Sequence, residues 1–178
     1  QAKLQGWRTE AASPSTTEVL IYYGGNAEDS GASLATLKML AVAQVITVNY
    51  RGYGNSTGQP SQHNILADAL AIFDNTKQQY PHHKLTVVGR SLGSAVAAHV
   101  AVNRNVDKLI LITPLHSVEK LAREKFYHLL PPPLIKHPFP VAALAPNIKA
   151  KTLVLLAEND KVIPKEHSTQ TFAALKTQ

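Results

Sequence analysis

The sequence predicts an α/β fold, a mostly parallel sheet with helices on both faces. Short runs rich in Val, Ile and Leu alternate with stretches of helical period from Val19 to the end of the chain. Each apolar run empties into a loop rich in glycine or polar residues. At the centre, Lys84 to Val102 reads as strand, sharp turn and helix around Gly89-Arg90-Ser91-Leu92-Gly93. A βαβαβαβ order with short connections demands parallel neighbours joined by right-handed crossovers. The loops at the carboxyl ends of the strands then share one edge, where ligands bind in such sheets.

Val19 to Tyr23 is the first strand, followed by the loop Gly24-Gly25-Asn26-Ala27-Glu28-Asp29. Glycines there let the backbone approach a ligand, which suits an oxyanion donor as well as a plain turn. Ser33 caps an expected helix to Ala43 that buries Leu34, Leu37, Leu40 and Ala41. Val45 to Val48 is the next strand and runs into the glycine-rich loop Asn49 to Pro60, whose Tyr and Arg residues suit packing under the central turn or facing solvent. Ser61 caps a helix to about Gln79 with Ile65, Leu66, Ala69, Ile72 and Phe73 on its buried face.

In the central motif, Leu85, Val87 and Val88 form the strand and Ala95 to Val102 the helix. A serine at the tip of such a turn is held in a strained conformation with its hydroxyl exposed, so its neighbours must lack bulk, and Gly89 and Gly93 supply the clearance. The Leu92 backbone N–H, at the helix start, can meet a developing oxyanion. The plainer reading is that Ser91 only caps the helix. Lys108 to Ile112 and Thr152 to Leu156 are the last strands, and Glu166 to Leu175 closes the chain as a helix. Just past the final strand stand Glu158-Asn159-Asp160. A carboxylate at a strand end, after the serine in chain order, is where a Ser…Asp…His triad places its orienting acid. Asp160 fits best, with Glu158 in reserve and a simple turn as the alternative.

Residues 114–150 break the rhythm, holding most of the eleven prolines, among them Pro131, Pro132 and Pro133. They read as a lid-like insertion in a single domain spanning 1–178. Lys120, Arg123, Lys125, Lys136 and Lys149, with Lys151 just beyond, face only Glu119 and Glu124. This segment suits either a solvated helix face or a lid that meets an anionic membrane surface.

At 178 residues and 44% hydrophobic content the chain can build a real core. It has no cysteine, which removes thiolate chemistry and cysteine metal sites. No metal or cofactor is implied. A net charge of +6 without interleaved aromatic and basic residues gives no case for nucleic acid. No apolar run reaches the length of a membrane span, and the first residues are not a signal peptide. The chain reads as soluble as given; cytoplasmic and envelope-associated locations are both allowed, and an upstream signal or anchor is left open.

With these residues in place, the chain resembles the α/β-hydrolase superfamily, in the branch of small serine hydrolases that includes lysophospholipase-like, serine-aminopeptidase-like and depalmitoylase-like proteins. The resemblance runs from about Gly6-Trp7 to the last residue. It rests on Gly25-Asn26-Ala27-Glu28-Asp29, on Tyr50-Arg51-Gly52-Tyr53-Gly54 with Ser56, Gly58 and Pro60, and on the Ser91 turn. Thr113-Pro114-Leu115-His116-Ser117 and Glu158-Asn159-Asp160 complete it. It implies an ester or thioester hydrolase in which Ser91 attacks and Asp160 orients a histidine. The N–H groups of Leu92 and Asn26 form the oxyanion hole, and Gly25, Gly89 and Gly93 support the turns. The substrate expected is a small-molecule acyl ester or thioester of the acyl-lipid or acyl-protein class.

Two departures stand out. Gly24 replaces a histidine common in the family, and none of the eight histidines occupies the triad position. The expected fold is therefore a hydrolase trimmed at both ends, with the catalytic histidine either beyond residue 178 or absent. His116 is the one candidate base inside the chain, because its loop belongs to the same sheet edge as Ser91. A trimmed sheet would leave an edge exposed to association between copies. The rival readings are a non-catalytic binding protein of the same fold and, more weakly, a serine peptidase of the superfamily.

Overall fold

The computed structural model describes residues 2–9, 16–39, 42–120, 139–160 and 163–175. Its elements are β1 (Gly6–Arg8), β2 (Glu18–Tyr23), α1 (Ser30–Leu37), β3 (Gln44–Val48), α2 (Gln62–Gln79), β4 (Lys84–Arg90), α3 (Leu92–Asn103) and β5 (Lys108–Ile112). There follow α4 (Val141–Leu144), a 3₁₀ turn (Ala145–Asn147), β6 (Lys151–Leu155) and α5 (Lys165–Ala174). The strands form one sheet in the order β1-β3-β2-β4-β5-β6, parallel throughout except for β1, which runs antiparallel to β3. The mostly parallel α/β architecture is thus as expected. An antiparallel strand survives at the amino end: Gly6–Arg8 is too short to show a period of two, so only its pairing with Ile46–Val48 reveals it.

Side-chain alternation along the strands divides the core into two layers. Val19, Ile21, Leu85, Val87, Leu109 and Leu111 face α2 and α3, whereas Leu20, Tyr22, Val45 and Val88 face α1 with Trp7 and Leu37. The helix after the central turn is buried almost all round, because it lies on β4 beneath α2. Its small residues Ala95, Ala97 and Ala98 let it approach the strands, and Val96 and Val100 contribute about 1.5–3 kcal/mol each by leaving water.

Two boundaries moved. The first helix starts at Ser30 rather than Ser33, because Asp29 is the cap: its Oδ1 accepts from the Gly31 N–H at 2.9 Å. It ends at Leu37, with Leu34 buried and Leu37 partly so; Leu40 and Ala41 lie outside the described residues. Ser61 does cap α2, accepting from Asn64 N at 3.1 Å. Of the loop that follows β3, Arg51 forms a bidentate ion pair with Asp68 on α2 at 2.5 and 2.6 Å.

The loop after β5 is fastened from α5. His167 Nδ1 accepts from the His116 N–H at 3.1 Å, Ser168 Oγ donates to Pro114 O at 2.9 Å, and Thr171 Oγ1 donates to Leu115 O at 3.2 Å. About half of the expected lid, with Arg123, Lys125, Lys136 and the triple proline, lies outside the described residues. At the end of the sheet, β6 pairs with β5 and turns Leu153 and Leu155 outward, 52% and 45% exposed.

Candidate functional site

Ser91 stands at the carboxyl end of β4, between Arg90 and the first residue of α3. Its φ of 51° is unusual for a residue with a side chain, and such a conformation costs on the order of 1–3 kcal/mol. The surroundings hold it there. Ser91 N–H donates to Ile112 O at 3.0 Å, while Ser91 O accepts from Ser94 N at 2.9 Å and Ser94 Oγ at 2.5 Å. The flanking glycines are required on steric grounds. A β-carbon on Gly89 would lie 2.1 Å from Gly93 O, and one on Gly93 would lie 2.0 Å from Tyr23 O. Ser91 is partly exposed, and among the described residues no side chain hydrogen-bonds its hydroxyl.

The loop after β2 lies directly against this turn: a β-carbon on Gly25 would sit 3.6 Å from Ser91 Cβ and 3.7 Å from Arg90 O. Sequence reasoning singled out Gly25 and Asn26 here and passed over Glu28, which organises the loop. Glu28 Oε2 accepts from Gly25 N at 2.6 Å, and Oε1 accepts from Tyr22 Oη at 2.7 Å and Ser33 Oγ at 2.5 Å. Arg90 Nη1 stands 3.5 Å from Oε2. Burial pushes the Glu28 carboxyl up, but the bonds from Ser33, Gly25 and Tyr22 and the Arg90 charge outweigh it and hold the group below the usual carboxylate range. Burial, reinforced by the Glu28 carboxylate, keeps the Tyr22 hydroxyl protonated well above its ordinary range, as a donor must be.

Two further tyrosines brace the loop. Tyr50 Oη donates to Gly24 O at 2.8 Å, and Tyr53 Oη donates to Asn26 Oδ1 at 2.6 Å. The Tyr50 and Tyr53 rings meet edge to face, 5.7 Å between centroids. Since the Gly25 N–H is spent on Glu28, the Asn26 N–H is the next backbone donor along the loop.

Asp160 lies beyond β6, half-buried, with Oδ1 accepting from Ile163 N at 2.9 Å. Glu158 is exposed. His116 follows β5 as expected, but its described backbone bonds lead elsewhere: its N–H goes to His167, and its carbonyl accepts from Ala142 N at 3.1 Å. The His116 and His167 rings stand nearly perpendicular, 6.5 Å apart. His167 is 1% exposed, and its Nδ1 accepts from the His116 N–H. Among the described residues, no group of three or more His, Asp or Glu side chains could hold a metal ion, and no helix is long and apolar enough to cross a membrane.

This combination of a parallel sheet, a strained serine turn at its carboxyl edge and a glycine loop packed on that turn defines an α/β hydrolase. The family model for the alpha/beta hydrolase fold matches residues 19–132, and the chain belongs to that family. Similar proteins include the alpha/beta hydrolase domain-containing protein aho-3 of Caenorhabditis elegans, 29% identical over 92% of this chain and 50% of its own. The lysophosphatidylserine lipase ABHD12 of Bos taurus is 30% identical over 92% of this chain and 46% of its own. The chain thus spans about half the length of these relatives. Among solved structures, Est1E of Butyrivibrio proteoclasticus with bound ferulic acid superposes with a TM-score of 0.83 at 19% identity, covering 99% of this chain and 83% of that one.

Proposed function

We propose that this chain carries the nucleophile and oxyanion hole of a serine hydrolase acting on carboxylic esters or thioesters. The observation that carries this reading is Ser91 at φ 51°, held between two glycines that admit no β-carbon and facing the Gly25–Asn26 loop. Ser91 Oγ attacks the acyl carbon and passes its proton to a histidine, and the Leu92 and Asn26 N–H groups stabilise the resulting oxyanion. Collapse of that intermediate breaks the bond to the alcohol or thiol, which leaves with the proton; water then releases the acid by the same route in reverse. Asp160 orients the histidine. The similarity to a lysophosphatidylserine lipase favours an acyl-lipid over an acyl-protein substrate.

A second reading, a binding protein that keeps the fold without the reaction, is favoured by the Ser91 hydroxyl having no histidine partner among the described residues. The two separate cleanly. In the whole natural polypeptide, Ser91 should be labelled by a fluorophosphonate probe, and Ser91→Ala should lower ester hydrolysis by about 10⁴–10⁶. Undiminished hydrolysis by the alanine variant would remove Ser91 from the mechanism. An absence of both labelling and turnover in the unaltered protein would favour the binding role.

A further inference from the structure

Glu28 belongs to none of the reacting groups, yet it bonds to both chain segments that supply the oxyanion donors. On one side Oε2 accepts from the N–H of Gly25, the residue before Asn26, at 2.6 Å. On the other, the same oxygen faces the guanidinium of Arg90, which precedes Ser91 and Leu92, at 3.5 Å. Tyr22 and Ser33 fix the second oxygen at 2.7 and 2.5 Å, so the carboxylate has donors on both sides and its side chain is only 12% exposed.

We infer that Glu28 is the positioning residue of the oxyanion hole: it fixes the Gly25–Asn26 peptide against the Ser91 turn and so presents the Asn26 N–H to the reacting carbonyl. This rests on the serine-hydrolase reading above. Helix capping does not account for it, because Asp29 caps α1. Placed near a developing oxyanion, a carboxylate would by itself oppose the reaction; several donors directed at it disperse that charge. Its side chain also folds over Gly24, where a β-carbon would lie 3.2 Å from Glu28 Cδ, so the glycine makes room for the brace. Between them, Ala27 is held at φ 56°, a conformation that would relax if the carboxylate let go of Gly25.

The test uses the whole natural polypeptide with active sites counted by exhaustive fluorophosphonate labelling. Glu28→Ala should lower kcat per labelled site about 10²-fold while KM stays within about threefold, the pattern of a donor displaced in the transition state. Glu28→Gln still offers an amide oxygen to Gly25, so its loss should stay within about tenfold; it also serves if the alanine variant fails to fold. Amide hydrogen exchange at Gly25 should quicken in Glu28→Ala. A kcat per site within threefold of the unaltered protein in both variants, or a fall that appears wholly in KM, overturns the assignment. Failure of the underlying reading looks different: Ser91→Ala would keep its hydrolysis, while exchange at Gly25 would still report the brace.

Discussion

Gly93 packs so closely under Tyr23 that a β-carbon on the glycine would lie 2.0 Å from the tyrosine's carbonyl oxygen and 2.6 Å from that of Gly24. Both obstructing atoms are backbone at the end of β2, so neither can swing aside. Gly93→Ala should destabilise the protein by more than about 3 kcal/mol, seen as a lower urea midpoint. A variant as stable as the original would mean that β2 and α3 can separate at the site.

The Tyr50 hydroxyl donates to Gly24 O in a buried setting at 2.8 Å. Tyr50→Phe keeps the ring and strands the carbonyl, so it should cost about 1–3 kcal/mol in chemical unfolding. Tyr53→Phe, whose bond to Asn26 is exposed, should cost less.

Glu28 also predicts a pH dependence. Its folded carboxyl titrates below the ordinary value of 4.5, so the unfolded chain takes up the proton first as pH falls. The stabilisation is therefore fully present above about 4.5 and is lost below it, as pH falls through the lowered folded value. The difference in unfolding free energy between the unaltered protein and Glu28→Gln should shrink as pH drops from 7 to 3, and a difference constant over that range would contradict the assignment.

Much of this fold was legible because its signals are local. The parallel strands are apolar runs, the central helix is a string of small apolar residues, and Gly89 and Gly93 mark the turn whose sterics demand them. What stayed hidden depends on distance along the chain. Tyr50 reaches Gly24 across 26 residues and His167 reaches His116 across 51, and neither pairing leaves a periodicity. Glu28 was quoted as part of a loop and not weighed, because a carboxylate three residues past a glycine reads as an ordinary turn residue until Tyr22, Ser33 and Arg90 are seen to converge on it.

His167 looks like a catalytic type of residue and is better explained as a clasp. His167→Ala should leave a cavity and an unpaired His116 N–H, costing about 2–4 kcal/mol in thermal or urea unfolding. On the serine-hydrolase reading, the pH–rate profile of the folded variant should keep its midpoints; a shifted limb would give His167 a part in proton transfer.

The outer strand makes a prediction about association. Leu153, Leu155 and Leu156 are each about half exposed on or beside β6. If copies of this chain pair through that edge, Leu153→Lys should reduce the apparent mass at a given concentration in sedimentation, because a charge on an edge strand blocks pairing. No change would separate these leucines from self-association.

His116 is secured through both of its backbone groups, its N–H to His167 and its carbonyl to Ala142. The described ends of the segment between His116 and Ala142 are therefore joined by a backbone hydrogen bond, 3.1 Å from Ala142 N to His116 O. For a flexible replacement segment, each doubling of length would cost only about 0.6 kcal/mol in closure entropy. A stretch of different length or charge spliced in between His116 and Ala142 should therefore leave β4, β5 and the Ser91 turn as they are, which circular dichroism and the urea midpoint of such a variant would check.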